Sequence, residues 1–259
     1  MDKYVTASFS GGKDSTAMVL RMIELGEQLD EVITCDTGME FPEMYDHIAR
    51  VREVIEGAGI KFTALRAEHS FEWYMFEKPV ESKEWGPHYG FGWPSMKIRW
   101  CTQHLKERII SDYLRQLRQE HKVIQCIGLA ADETERLARP YTQRADHRPP
   151  LAEWGWTEAD AMAYCKARGY DWGGLYDIFP RVSCWICPLK SIGELKMLRR
   201  HRPELWARIK EMDARLRAPG TNHSIQQFNP HYTIAELEAR FDREDKAAEE
   251  QTSLDRWLI

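Results

Sequence analysis

An apolar run, Tyr4-Val5-Thr6-Ala7, is joined to a segment with apolar residues at helical spacing, Ser15-Thr16-Ala17-Met18-Val19-Leu20, by the hexapeptide Ser10-Gly11-Gly12-Lys13-Asp14-Ser15. A buried strand, a glycine-rich turn and a helix in that order open an α/β fold. The same turn is a phosphate cradle. Its glycines allow a sharp turn and close backbone approach, and the helix N-terminus offers unsatisfied N–H groups and the positive end of its dipole. Lys13 adds a point charge. The plainer reading of Ser10 to Ser15 is an ordinary strand-to-helix turn. The Walker A pattern GxxxxGK[ST] does not occur in the chain.

The alternation continues. Val32-Ile33-Thr34-Cys35 is a second strand ending in Asp36-Thr37-Gly38, Pro42 opens a helix reaching Gly57, and Phe62-Thr63-Ala64-Leu65 is a third strand. A β-α-β-α-β order predicts a parallel sheet with right-handed crossovers. Residues 66–100 hold many aromatics, glycines and prolines without a period, an ordered excursion. Cys101 to Gln119 reads as one helix, Val123 to Gly128 as another buried strand leading into Asp132-Glu133, and 136–150 as a basic loop. Thr157-Glu158-Ala159-Asp160 starts a capped helix ending near Gly169, and the chain after Cys187 is charged and helical.

With 259 residues, the chain suits a nucleotide-binding α/β domain over 1–180 followed by a helical region over 181–259. A hydrophobic share of 43% with 30% charged residues fits a soluble globular protein, and neither a membrane-length apolar run nor a signal-peptide pattern is found, so a cytoplasmic location is expected. The formal net charge of −5 supplies no global attraction to nucleic acid. In a reducing compartment the six cysteines are metal ligands, reactive thiols or core residues rather than disulfides.

Cys184 and Cys187 form a CxxC before Pro188, a spacing that lets two thiolates face one metal. Cys126 and Cys165 fall in a strand and a helix, where buried thiols belong, while Cys35 ends the second strand and either faces the site as a further ligand or is likewise a core thiol, the core reading being favoured. Asp14 and Asp132 either help hold Mg²⁺ near a phosphate or cap the helices that follow them. The aromatics Phe71, Trp73, Tyr74, Phe76, Trp85, Tyr89, Phe91, Trp93 and Trp100 either stack nucleic-acid bases, aided by Lys97, Arg99, Arg136, Arg139 and Arg144, or pack the excursion onto the domain; the acidic total favours packing. No histidine has a convincing catalytic spacing, and His201, His223 and His231 have no assigned role.

The SGGKDS loop resembles the PP-loop of the ATP pyrophosphatases and of the phosphoadenylyl-sulfate (PAPS) reductase family, within the adenine nucleotide alpha-hydrolase-like superfamily. Further blocks agree in family order: Asp36-Thr37-Gly38 with Glu40-Phe41-Pro42-Glu43, Arg99-Trp100-Cys101-Thr102 with Leu105-Lys106, Gly128 with Asp132-Glu133 and Arg136, Pro150-Leu151 with Trp154, and Cys184-Trp185-Ile186-Cys187-Pro188. The resemblance implies a doubly wound, mostly parallel, Rossmann-like sheet binding ATP or a related adenylyl nucleotide at the C-terminal strand edges. ATP would be cleaved between its α and β phosphates, with Lys13, Asp14 and Asp132 as catalytic candidates. Asp36, Thr37, Gly38, Gly128 and Arg136 would join the loop residues around the nucleotide. It also implies that Cys101 approaches Cys184 and Cys187. Three such cysteines look like the [4Fe–4S] sites of PP-loop tRNA thiolases, with Zn²⁺ as the other candidate.

Three positions depart from the family. No cysteine lies beyond Cys187, where sulfonucleotide reductases carry their nucleophile; Trp100 precedes Cys101 where iron–sulfur reductases have a paired cysteine; and Ala130 stands where relatives often place arginine. The expectation is therefore an enzyme that adenylates a substrate and inserts sulfur, with a nucleic-acid acceptor and a sulfur- or electron-donor protein as candidate partners. A sulfite-releasing reductase and a non-catalytic nucleotide- and metal-binding module are the rivals.

Overall fold

The computed structural model describes residues 2–83, 86–218 and 227–257, so Trp85 and His223 lie outside the described residues. In chain order the elements are β1 (Lys3–Ser8), α1 (Lys13–Glu24), β2 (Glu31–Asp36), α2 (Pro42–Gly57), β3 (Lys61–Arg66), α3 (Phe71–Phe76), β4 (Pro79–Ser82) and β5 (Gly86–Tyr89). There follow α4 (Trp100–Thr102), a π-helical turn (Gln103–Glu107), α5 (Arg108–Glu120), β6 (Lys122–Cys126), α6 (Thr134–Leu137), β7 (His147–Arg148), α7 (Pro150–Glu153) and α8 (Glu158–Ala167). A short 3₁₀ turn (Trp172–Gly174) leads to α9 (Leu175–Ile178), α10 (Ile192–His201), α11 (Pro203–Leu216) and α12 (Ile234–Trp257). The chain divides into two units, one built from residues up to Glu68 plus Thr102–Cys184, the other from His69–Cys101 plus residues from Trp185 onward.

The first unit holds a five-stranded sheet in the order β3-β2-β1-β6-β7. Every pairing in it is parallel. The chain moves outward from β1 through β2 to β3 and then returns to the other side of β1, which makes this the doubly wound order with its switch point between β1 and β6. Val5, Ala7, Val32, Ile33, Val123 and Cys126 are buried, as strands covered on both faces require. Ile33, Leu114 and Val123 form a core cluster, against which Leu65, Ile110, Tyr113 and Leu117 pack. One face of α5 thus lies on the sheet, and a buried leucine such as Leu114 contributes roughly 1.5–3 kcal/mol there.

The single helix expected from Cys101 to Gln119 is interrupted. The π-helical turn at Gln103–Glu107 buries Leu105, and the Leu105 carbonyl accepts a hydrogen bond from the Cys35 thiol at 2.9 Å. The capping box at the start of α8 forms as the sequence predicts, with Thr157 and Asp160 exchanging bonds. The basic loop expected over 136–150 contains the short strand β7, which pairs with Gln125 and Cys126 of β6.

In the second unit the aromatic excursion becomes helix α3, an antiparallel β4–β5 hairpin and a packed aromatic core. Trp100 meets Phe71 with ring centroids 4.7 Å apart, and Trp93 meets Phe228 edge-on at 4.8 Å. The Trp93 indole N–H donates to Asp213 at 3.0 Å. Phe71, Phe76, Trp93 and Trp100 are buried and so not available to stack on bases, whereas Tyr89 is exposed. Among the described residues no helix is long and apolar enough to cross a membrane.

Candidate functional site

The loop that follows β1 is held at nearly every peptide. Ser10 N donates to Ser15 Oγ at 3.2 Å, the two serine hydroxyls are 3.2 Å apart, and Ser15 Oγ donates to the Gly12 carbonyl at 3.1 Å. Gly11 has φ of +77°, and a Cβ there would meet Met44 Sδ at 2.7 Å and Ile48 Cγ1 at 2.8 Å, both on α2. Its carbonyl accepts from the Trp172 indole at 2.7 Å and from Thr16 Oγ1 at 3.3 Å. Thr16 Oγ1 is also 2.9 Å from His47 Nε2. Burial pushes the His47 imidazole down to about 4, so it is neutral at ordinary pH. Gly128, just past β6, gives the other wall: a Cβ there would lie 2.9 Å from the Ser15 Cα, so only glycine lets α1 begin this close to the switch point.

Beside this loop opens a cavity of about 780 Å³ in the first unit. Ser10, Gly12, Asp14 and Ser15 line it, with Asp36 from the end of β2, Gly128, and Arg136 and Arg139 on the β6 side. That size falls in the range of small-molecule pockets, at the C-terminal strand edge where open α/β sheets take ligands.

Lys13 is not among the cavity's lining residues. Its Nζ is bound by Asp14 Oδ2 at 2.9 Å and by Glu158 Oε2 at 3.0 Å. Burial works against the ammonium, but Asp14 and Glu158 outweigh it and raise its pKa. The Asp14 carboxyl is pushed above its usual range by burial, with Lys13 opposing and Glu158 and Glu133 reinforcing. Asp132 Oδ1 accepts from the Glu158 amide at the start of α8, at 3.1 Å. Asp36 Oδ1 accepts from Gly38 N at 2.8 Å and from the Tyr45 hydroxyl at 2.9 Å, and Oδ2 pairs with Arg66 at 3.2 Å. Gly38 has φ of +74°, so Asp36-Thr37-Gly38 is a genuine turn at the cavity's edge. Arg136 lines the cavity with its guanidinium on Glu133.

The expected three-cysteine metal group is not formed: among the described residues no three His, Cys, Asp or Glu side chains are placed to hold a metal ion. The Cys184 thiol instead donates to Glu40 Oε1 at 3.2 Å, with Lys106 Nζ 4.0 Å away. Lys106 Nζ and the Thr37 hydroxyl share that same Glu40 oxygen, each at 3.4 Å. Burial disfavours the Lys106 charge, but Cys184 and Glu40 hold its pKa above the ordinary range. The Cys184 thiol thus lies beside a carboxylate–ammonium pair, and no group of three or more possible metal ligands that includes it is seen among the described residues. Spacing in sequence cannot reveal where Cys101 lies relative to a turn eighty residues later.

Sequence reasoning missed Glu158, Trp172 and Tyr176. Tyr176 Oη accepts the Lys13 amide hydrogen at 3.0 Å. Glu158 was visible inside the capping-box tetrapeptide, but nothing local shows that its side chain crosses to Lys13. Glu40 and Lys106 stood in blocks shared with the family without an assigned role.

A phosphoadenosine phosphosulfate reductase domain model matches residues 4–190. Two uncharacterized proteins of Methanocaldococcus jannaschii are similar to this chain. One is 28% identical over 214 residues, covering 79% of this chain and 40% of the relative. The other is 24% identical over 207 residues, covering 78% and 46%. The chain thus spans less than half the length of these curated relatives.

Proposed function

Because this chain belongs to the phosphoadenosine phosphosulfate reductase domain family, we propose that its cavity binds ATP or a related adenylyl nucleotide and that the protein adenylates a substrate. The observation that carries this reading is the Ser10–Ser15 loop opening α1 directly onto a cavity of about 780 Å³ at the switch point of a parallel sheet. A substrate oxygen attacks the α-phosphorus, the new O–P bond forms, the bond to the bridging oxygen breaks, and pyrophosphate leaves. Charge builds on the departing oxygens, where the loop amides and a Lys13 released from Asp14 and Glu158 would meet it. Mg²⁺ supplies further charge neutralisation in such chemistry.

A second nucleophile then displaces AMP. Sulfur as that nucleophile is what the resemblance implies. No cluster-based delivery is included, because Cys101, Cys184 and Cys187 do not form a ligand group among the described residues. The sulfite-releasing alternative has one observation in its favour: the Cys184 thiol lies 3.2 Å from Glu40, which lines the cavity.

Purified protein is incubated with ATP and panels of nucleic-acid and small-molecule acceptors. Equal amounts of AMP and pyrophosphate are expected; ADP and orthophosphate, or no turnover with any acceptor, overturn the adenylation reading. Sulfite formed from PAPS or adenylyl sulfate with a thiol reductant would replace it by the reductase.

A further inference from the structure

The segment 172–176 crosses the phosphate loop and touches it on two consecutive turns. Among the described residues Trp172 is the one non-glycine with a positive φ, at 54°, and Gly173 and Gly174 follow at 59° and 78°. A bulky residue in the left-handed region is strained, and such strain persists only where the surroundings fix it. Here they do. The indole of Trp172 is buried, stacks on His47 with centroids 4.7 Å apart and donates to the Gly11 carbonyl at 2.7 Å. A Cβ on Gly173 would come within 2.9 Å of Glu43 Cγ on α2. Leu175 is fully buried.

This anchoring delivers the Tyr176 hydroxyl to the first amide of α1. The ring packs edge-on against Trp172 at 4.8 Å, and its oxygen accepts from Lys13 N at 3.0 Å. A Cβ built on Gly12 would lie 3.6 Å from the same oxygen, so the hydroxyl sits against the loop's second glycine. The amide at that helix position is one a phosphate oxygen would otherwise take. A hydroxyl that accepts a hydrogen bond still has its own hydrogen to give.

We propose that Tyr176 is a member of the phosphate cradle: its hydroxyl accepts the Lys13 amide hydrogen and donates its own to a phosphate oxygen of the nucleotide or of departing pyrophosphate. Trp172 is the positioning residue that holds it there. The inference rests on the nucleotide reading of the cavity. It gives the strained tryptophan and the two left-handed glycines after it a common role, holding the Tyr176 oxygen against the loop.

Titration calorimetry of the unaltered protein and Tyr176→Phe with pyrophosphate, ATP and adenosine tests this. Phenylalanine keeps the ring contacts and gives up the bond to the Lys13 amide, so the melting midpoint should fall by no more than about 4 °C. Pyrophosphate and ATP should bind roughly tenfold more weakly, the worth of one hydrogen bond to a charged group, with adenosine binding within about twofold. Unchanged pyrophosphate affinity overturns the proposal. So does tighter binding, which would mean the hydroxyl occupies the place a phosphate must take, and so does an equal loss for adenosine, which would mean a purely structural role. An unaltered protein that binds neither ATP nor pyrophosphate removes the nucleotide reading itself, an outcome distinct from a neutral Tyr176→Phe.

Discussion

Two groups of charges lie at opposite edges of one parallel sheet and are wired differently. At the N-terminal edge Glu31, the first residue of β2, is fully buried and accepts from the Tyr4 hydroxyl at 3.1 Å, the Tyr113 hydroxyl at 2.6 Å and the Thr63 hydroxyl, with Lys61 Nζ 3.0 Å away. Lys61 in turn donates to Tyr113 at 2.9 Å. At the C-terminal edge Lys13 is shared between Asp14 and Glu158, beside a cavity. The first group is closed, every strong acceptor being answered by protein donors. On the proposed nucleotide reading, the second is a set of partners that an incoming anion would rearrange. A closed network serves stability; an exchangeable one serves binding.

The contrast is testable at both ends. Glu31→Gln should cost about 2–3 kcal/mol in denaturant unfolding, because it removes the charge that four donors surround, while ATP affinity stays unchanged. Lys13→Met should do the reverse, weakening ATP and pyrophosphate roughly a hundredfold, as expected for truncating a charged partner, with a smaller shift in the unfolding midpoint. If Lys13→Met costs more stability than Glu31→Gln, the assignment of the two edges is wrong.

Acid separates the edges next. Burial raises the Glu31 pKa, but the bonds from Thr63, Tyr113 and Lys61 outweigh it and leave the carboxyl below its ordinary 4.5. A depressed folded-state pKa gives stability that is present above the unfolded value and lost as pH falls through the folded one. Asp14, raised above its ordinary 3.8, has the opposite sign: its folded form takes up a proton more readily, which favours folding as pH falls. Melting followed from about pH 6 to about pH 3.5 should therefore show a shallower decline in Glu31→Gln and a steeper one in Asp14→Asn than in the unaltered protein.

Smaller effects sharpen the picture. Tyr113→Phe should lose about 1.5–2 kcal/mol, because its hydroxyl both donates to Glu31 and accepts from Lys61, with no change in ligand affinity. Glu158→Gln should raise ATP affinity about two- to threefold by leaving Lys13 a single carboxylate partner, a modest gain because Glu158 is half exposed. Calorimetry reads both, and weaker ATP binding in Glu158→Gln would mean that Glu158 aims Lys13 rather than detains it.

What was legible in the sequence divides along similar lines. Val5, Val32 and Ile33 announced buried strands, Pro42 and Gly57 bounded a helix, and Thr157 with Asp160 marked a cap, because each signal is carried by neighbours in the chain. The loop Ser10–Ser15 could be read for the same reason. Glu31 could not: in sequence it is a charged residue next to Asp30, and its burial depends on Tyr113, which belongs to a helix formed much later in the chain. The π-helical turn at Gln103–Glu107 has no periodic signature, since it adds one residue to a pattern that otherwise continues. Tyr176 and Trp172 act through bonds to Lys13 and Gly11 that no local rule anticipates. The three-cysteine group that the family resemblance implies is not seen among the described residues, and no local signal bears on whether Cys101 meets a turn so far along the chain.

The strand order also sets a timetable for synthesis. Of the five strands β1 is made before the other four, yet it is the central one, and on one side its Lys3–Ala7 pairs with Lys122–Cys126 of β6. Until that partner emerges, on the order of ten seconds later at ordinary elongation rates, one side of β1 presents open backbone donors and acceptors to whatever is nearby. A translational pause placed before Lys122 would prolong that exposure without altering a single contact of the finished protein. Soluble yield would then follow the speed of elongation through α5 more closely than the stability of the completed sheet.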